Sequence, residues 1–164
     1  MPASSAEAVQ YEQGRKLAIE LLGNAKDLDE ASAALAKEAA QHLALAKLLV
    51  AADAEADRQC AQVGASLFVL QTVPNTIFIC ADARWHVQNE VGPVTEILAQ
   101  GFIHEGAHLV GETGECIATI LEMEVTANSI GVTGLGNFNK YSGQCDGFQD
   151  AQKSRRHKRR PSLR

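Results

Sequence analysis

The segment Phe102-Ile103-His104-Glu105-Gly106-Ala107-His108-Leu109-Val110-Gly111 places two histidines four residues apart, with a glutamate directly after the first. On an α-helix this spacing stacks the two imidazoles one turn apart, within reach of one metal ion, and it works only if the segment is helical. Glu105 then lies beside the position left for water. A bound Zn²⁺ can lower the pKa of that water to about 7, and a neighbouring carboxylate can accept its proton and pass it to a leaving amine. The surrounding sequence supplies the helix. Val94, Ile97, Leu98, Phe102 and Ile103 recur at three- and four-residue intervals, and Pro93 suits a first helical turn, which predicts a helix over residues 93 to 110. Gly111 follows where a residue with positive φ ends the helix and turns the chain back. A helix with a histidine pair and a glutamate toward its buried side would otherwise carry costly polar groups, and a metal satisfies them.

A catalytic zinc takes a third protein ligand, and the residues just past the glycine, Gly111-Glu112-Thr113-Gly114-Glu115-Cys116, are the place to seek it. Glu115 is preferred; Glu112, Glu122, His86 and Asp146 are the alternatives. Glu122 lies seven residues beyond Glu115, two turns along the same helical face, and has a second possible role as the carboxylate that accepts the other ring N–H of a metal-bound histidine. Glu124 reads as a solvated helix residue. Cys116 is set aside as a ligand because neighbours on a helix point about 100° apart.

The segment HEGAHLVGETGE resembles the active-site stretch of the aspzincins, the deuterolysin and peptidyl-lysine metalloendopeptidase group, in which HExxH is followed by Gly-Thr-x-Asp. Aligned without gaps, the family's ligand aspartate falls on Glu115, a longer side chain. Thr76-Ile77-Phe78-Ile79-Cys80 through Trp85 is similar to the strand and aromatic residue that precede the motif there, so the resemblance covers roughly residues 75 to 120. It implies a zincin metallopeptidase with Zn²⁺ on His104, His108 and Glu115 and with Glu105 as general base. The family's oxyanion-stabilising tyrosine follows its aspartate closely, whereas Cys116-Ile117-Ala118-Thr119 offers none; Tyr141 is the candidate for that work. The resulting expectation is a zinc-dependent metalloendopeptidase acting on a protein or peptide, and its small size resembles toxin and effector domains, which implies an immunity or inhibitor protein as partner. Alternatives are a peptidoglycan peptide hydrolase, a non-enzymatic zinc-stabilised module and a nucleic-acid-binding module.

A chain of 164 residues with 46% hydrophobic and 21% charged residues can bury one sizeable core, so a single domain over residues 1–152 is expected, with a helical part at 1–60 and a catalytic core at 66–148. No apolar run is long enough to span a membrane. Met1-Pro2-Ala3-Ser4-Ser5-Ala6-Glu7 lacks the basic and apolar regions of a secretory signal, which points to the cytoplasm or to export by a signal-independent system. Residues 153–164, KSRRHKRRPSLR, hold seven of the fifteen basic residues and no acid, leaving eight basic against twenty acidic residues, a net −12, on the rest. Such a run reads as a disordered tail, and without interleaved aromatics it makes a weak case for nucleic acid. The spacing of Cys60, Cys80, Cys116 and Cys145 is too wide for a CxxC motif; a Cys80–Cys145 disulfide and free buried thiols both fit it.

Helical spacing is expected over residues 6–22 and, through Leu28, Ala31, Leu35, Ala39, Leu43, Ala46 and Leu49, over residues 28–56, the two packing as a hairpin. His42 falls there as a solvated or core-edge residue. Ser66-Leu67-Phe68-Val69-Leu70-Gln71 and Thr76-Ile77-Phe78-Ile79-Cys80 are β-prone runs joined through Val73-Pro74-Asn75, which predicts a β-hairpin. A helix over 115–129 and a Gly/Asn-rich loop over 131–148 complete the chain. The order is that of an α+β fold, a minimal zincin with its active-site helix under a small sheet. In such a protein an extended substrate can lie along an edge strand, for which Thr76 to Cys80 is the candidate.

Overall fold

The structure, a computed structural model, describes residues 5–51, 54–63 and 65–127. Tyr141, Asp146, Cys145, the expected loop over 131–148 and the basic tail lie outside the described residues. The fold is α+β, with element order α1 (Ser5–Asn24), α2 (Glu30–Leu45), β1 (Lys47–Val50), α3 (Ala54–Val63), β2 (Leu67–Val69), β3 (Thr76–Ile79), α4 (Ala81–Asn89), α5 (Val94–Leu109) and α6 (Glu115–Thr126). No described helix is long and apolar enough to cross a membrane.

Helix α5 is the axis of the molecule: α1, α2, α6 and β2 all pack on it. Its Leu98, Ala99, Phe102, Ile103 and Ala107 are buried with Tyr11, Ala18 and Leu22 of α1, Ala39 and Leu43 of α2, and Ala118, Leu121 and Val125 of α6. The closeness of α1 depends on Gly14, because a Cβ there would sit 2.5 Å from Leu98 Cβ and 3.5 Å from the Phe102 ring. Only glycine lets these two helices touch backbone to side-chain root. On its other flank α1 is tied to α4 by polar contacts, Gln88 Nε2 donating to the buried Glu7 carboxylate at 2.6 Å and the Arg84 guanidinium lying 3.6 Å from it.

The sheet has strand order β1-β3-β2. Strand β3 pairs in parallel with β1 (Lys47↔Thr76 to Val50↔Ile79) and antiparallel with β2 (Leu67↔Ile79 to Val69↔Ile77). The expected hairpin is therefore β2–β3. Two expectations are corrected here. Residues 28–56 do not form one helix: α2, capped by the Asp29 carboxylate accepting from Ser32 N at 2.8 Å, stops at Leu45, and Ala46 turns extended. The Leu48-Leu49-Val50 run continues the helical spacing of its neighbours, but the strand is stabilised by partners far away in sequence, such as Lys47 N to Asn75 O at 2.8 Å and Ala51 N to Ile79 O at 2.9 Å. The second correction concerns the edge. Thr76–Ile79 is central, hydrogen-bonded on both sides, so the edges of the sheet are β1 and β2.

Cys60 of α3 and Cys80, just past β3, form a disulfide with Cα atoms 5.7 Å apart. This overturns the Cys80–Cys145 pairing and the free thiols, since Cys80 is taken and Cys116 is disulfide-bonded too. The Cys60–Cys80 bridge lies in a second, smaller core with Ala51, Ala56 and Phe68, where Phe68 and Phe78 stack at 4.9 Å between ring centroids.

Candidate metal centre

His104, Glu105 and His108 occupy the last turns of α5, all facing the interior or its margin: His104 and Glu105 are each 6% exposed. The helix ends at Leu109 with Val110 as its C-cap, and Gly111, with φ of 103°, takes the conformation that a side chain would strain. The chain then reverses. Gly111 N bonds His108 O at 3.0 Å, Glu112 N bonds Ala107 O at 3.2 Å, and Glu112 closes the turn by accepting from Gly114 N at 2.7 Å through its own carboxylate. That turn delivers Glu115, the first residue of α6, onto the histidine pair.

His104 Nε2 lies 3.1 Å from Glu115 Oε2, His108 Nε2 lies 3.5 Å from Glu115 Oε1, and the two Nε2 atoms are 3.3 Å apart. One ligand atom from each of the three residues can be chosen so that all lie within 4.8 Å of one another. Tetrahedral zinc with bonds of about 2.0–2.1 Å holds its ligand atoms about 3.3 Å apart, so the two nitrogens already have the required spacing and the carboxylate needs only a small rotation. The opposite ring nitrogens both face oxygen atoms. His108 Nδ1 donates to Glu112 O at 2.7 Å, and His104 Nδ1 lies 3.3 Å from Glu122 Oε2. With a proton on Nδ1 of each ring, two Nε2 lone pairs and a carboxylate point at one spot. Such an arrangement repels itself unless a cation fills it, and these residues fit a divalent metal by donor type and by distance.

The proton stands in for that cation in the metal-free protein. Burial works to lower the pKa of His104, but hydrogen bonds to Glu115 and Glu122 and the charges of Glu105 and Glu122 outweigh it and hold the imidazole up at about 10. Glu105 is pushed up to about 8 by burial; the His104 charge and the Val69 N–H pull against this, and the Glu115 and Glu122 charges add to it. Strand β2, at the edge of the described sheet, packs on α5, and just beyond it Gln71 Nε2 donates to His108 O at 3.3 Å.

The structure thus brings His104, His108 and Glu115 together, with Glu105 alongside. It separates the alternatives: Glu112 spends its carboxylate on the turn, and His86 sits on α4 with Asp82 4.0 Å away. Glu122 is fully buried against His104 and is not a solvated helix residue, and Glu124 is half-buried. The packing of β2 on α5 left no signal in the sequence, because it depends on how the hairpin docks. Against known protein families, characterised proteins and solved structures the chain shows no match, so its likeness to the aspzincins is carried by the local segment alone.

Proposed function

We propose that this protein is a zinc-dependent metalloendopeptidase of zincin type. The observation that supports this most is the convergence of His104 Nε2, His108 Nε2 and the Glu115 carboxylate at spacings of 3.1 to 3.5 Å, with a buried glutamate next in sequence to the first histidine. Zn²⁺ bound there supplies Lewis acidity and brings the pKa of a water toward 7. The chain supplies the rest. His104, His108 and Glu115 hold the ion, and Glu105 accepts a proton at its carboxylate and returns it to the departing amine. A nearby divalent charge favours the ionised form of Glu105, which burial otherwise disfavours. An extended peptide would align along β2, the edge strand packed on α5, rather than along the central β3. Tyr141 remains the sequence's candidate for oxyanion donor.

The test combines elemental analysis with proteolysis. The purified protein is expected to carry about one zinc per chain. Glu105→Gln keeps the shape and the metal but removes proton acceptance, so turnover should fall by about 10²–10⁴-fold. Assays on an unfolded protein and on peptidoglycan stem peptides separate the two amide substrates. A metal-free parent with full activity, or wild-type turnover in Glu105→Gln, overturns the proposal.

A further inference from the structure

Glu122 has a fully buried side chain, yet it is a carboxylate on a helix face whose other buried residues, Ala118, Thr119, Leu121, Val125 and Thr126, carry no ionisable group. Burying such a group costs several kcal/mol unless specific partners offset it, so its presence calls for a partner that an apolar residue could not serve. Its Oε2 lies 3.3 Å from His104 Nδ1. Glu115 and Glu122 stand at i and i+7 on α6, on one helical face, and they meet the same imidazole from its two ends: Glu115 at Nε2 and Glu122 at Nδ1. His108 is braced differently, by the neutral backbone carbonyl of Glu112 at 2.7 Å.

We infer that Glu122 is the positioning residue of this centre, fixing the proton of His104 on Nδ1 and the ring's orientation so that the Nε2 lone pair stays aimed between His108 and Glu115. The inference rests on the proposed metal-binding role and adds to it the group that sets how firmly the ion is held. A carboxylate oxygen facing Nδ1 and accepting from it selects one imidazole tautomer, the one with Nε2 unprotonated. A carboxylate also makes the ring a stronger electron-pair donor than a carbonyl does. Helix α6 therefore carries both a ligand and the brace for a ligand on α5, and its docking against α5 sets both at once.

The experiment is zinc competition against a chromophoric chelator on the full chain, for the parent, Glu122→Gln and Glu122→Asp, with the absorption spectrum of the cobalt-substituted protein as a second readout. Glu122→Gln keeps the volume, and its affinity for zinc should fall by about 10–100-fold, the usual loss when an outer partner of a metal-bound histidine is removed. Its cobalt bands should shift, and Glu122→Asp should recover part of the affinity. A merely structural role would lower the melting temperature of the metal-free protein without moving the cobalt bands. Nitrogen NMR of the zinc-loaded parent reads the same question without a variant: the His104 ring should show a protonated Nδ1 and a metal-bound Nε2. Zinc affinity within about twofold of the parent in Glu122→Gln, or a metal-bound Nδ1 in the parent, overturns the inference alone. A parent that binds no zinc overturns the proposed function and this inference with it.

Discussion

Helix α5 presents His104, Glu105 and His108 from a stretch enclosed by α1, α2, β2 and α6, while α6 presents Glu115 from its first turn, after a glycine reversal, with a side chain 36% exposed. The N-cap of α6, Gly114, offers no side-chain cap, and the turn before it is held by backbone bonds and the Glu112 carboxylate. The histidine pair is thus fixed by packing and the carboxylate by a turn. A metal held there would meet two rigid donors and one adjustable one, the adjustable one on the side open to solvent.

Breaking the two halves separately should reveal that difference. His104→Ala and His108→Ala are expected to abolish stoichiometric zinc. Glu115→Ala should weaken it by more than the ~100-fold that loss of an outer partner costs, and Glu112→Ala should weaken it far less. Glu115→Asp should retain partial binding, because the turn has room to adjust where the helix has none. Chelator competition ranks the variants, and Glu112→Ala weaker than Glu115→Ala would place the third ligand in the turn instead.

Two glycine substitutions sharpen the contrast at smaller cost. Gly14→Ala forces a Cβ to within 2.5 Å of Leu98 Cβ, so denaturant unfolding should show a loss of about 1–3 kcal/mol from overpacking. Gly111→Ala meets no atom within 4 Å but must adopt φ near 103°. It should cost about 1–2 kcal/mol in backbone strain and, by shifting Glu115, lower zinc affinity more than Gly14→Ala does. Equal affinities for the two variants would remove the distinction between a packed and a turn-borne donor.

The smallest effect is in pH. In the metal-free protein the pKa of Glu105 rises from 4.5 to about 8 and that of His104 from 6.5 to about 10, so across this range the folded state holds more protons than the unfolded chain. Relative stability is then full below the ordinary values and is lost as pH rises through about 8 and about 10. Zinc displaces those protons, so its stabilisation grows over the same window. Thermal melts between pH 6 and 9 should show a falling midpoint without metal and a widening gap with it; a midpoint that climbs without metal would contradict the raised values.

What the sequence revealed and what it hid differ by distance along the chain. His104, Glu105, His108, Gly111 and Glu115 fall within twelve residues, so one helix and one turn relate them, and local rules suffice. The β2–β3 hairpin was legible for the same reason. Strand β1 was not: Leu48, Leu49 and Val50 extend a leucine and alanine spacing, and only pairing with residues 77–79 makes them a strand. Helix α4 is short and weakly patterned, with Trp85 52% exposed, and left no clear signal. The Cys60–Cys80 bridge is a choice among connectivities that spacing cannot make.

Helix α1 makes its most extensive contact with α5, and some seventy residues separate the end of one from the start of the other. During synthesis α1 and α2 therefore emerge long before the helix that covers their apolar face, and closure of the core waits for α5 and α6, residues 94–126. The same late segment carries both histidines. The helix that covers the α1–α2 face thus also brings the histidine pair, and α6, next in the chain, brings Glu115 together with Ala118, Leu121 and Val125, so the apolar core and the candidate metal centre are completed by the same late stretch of chain.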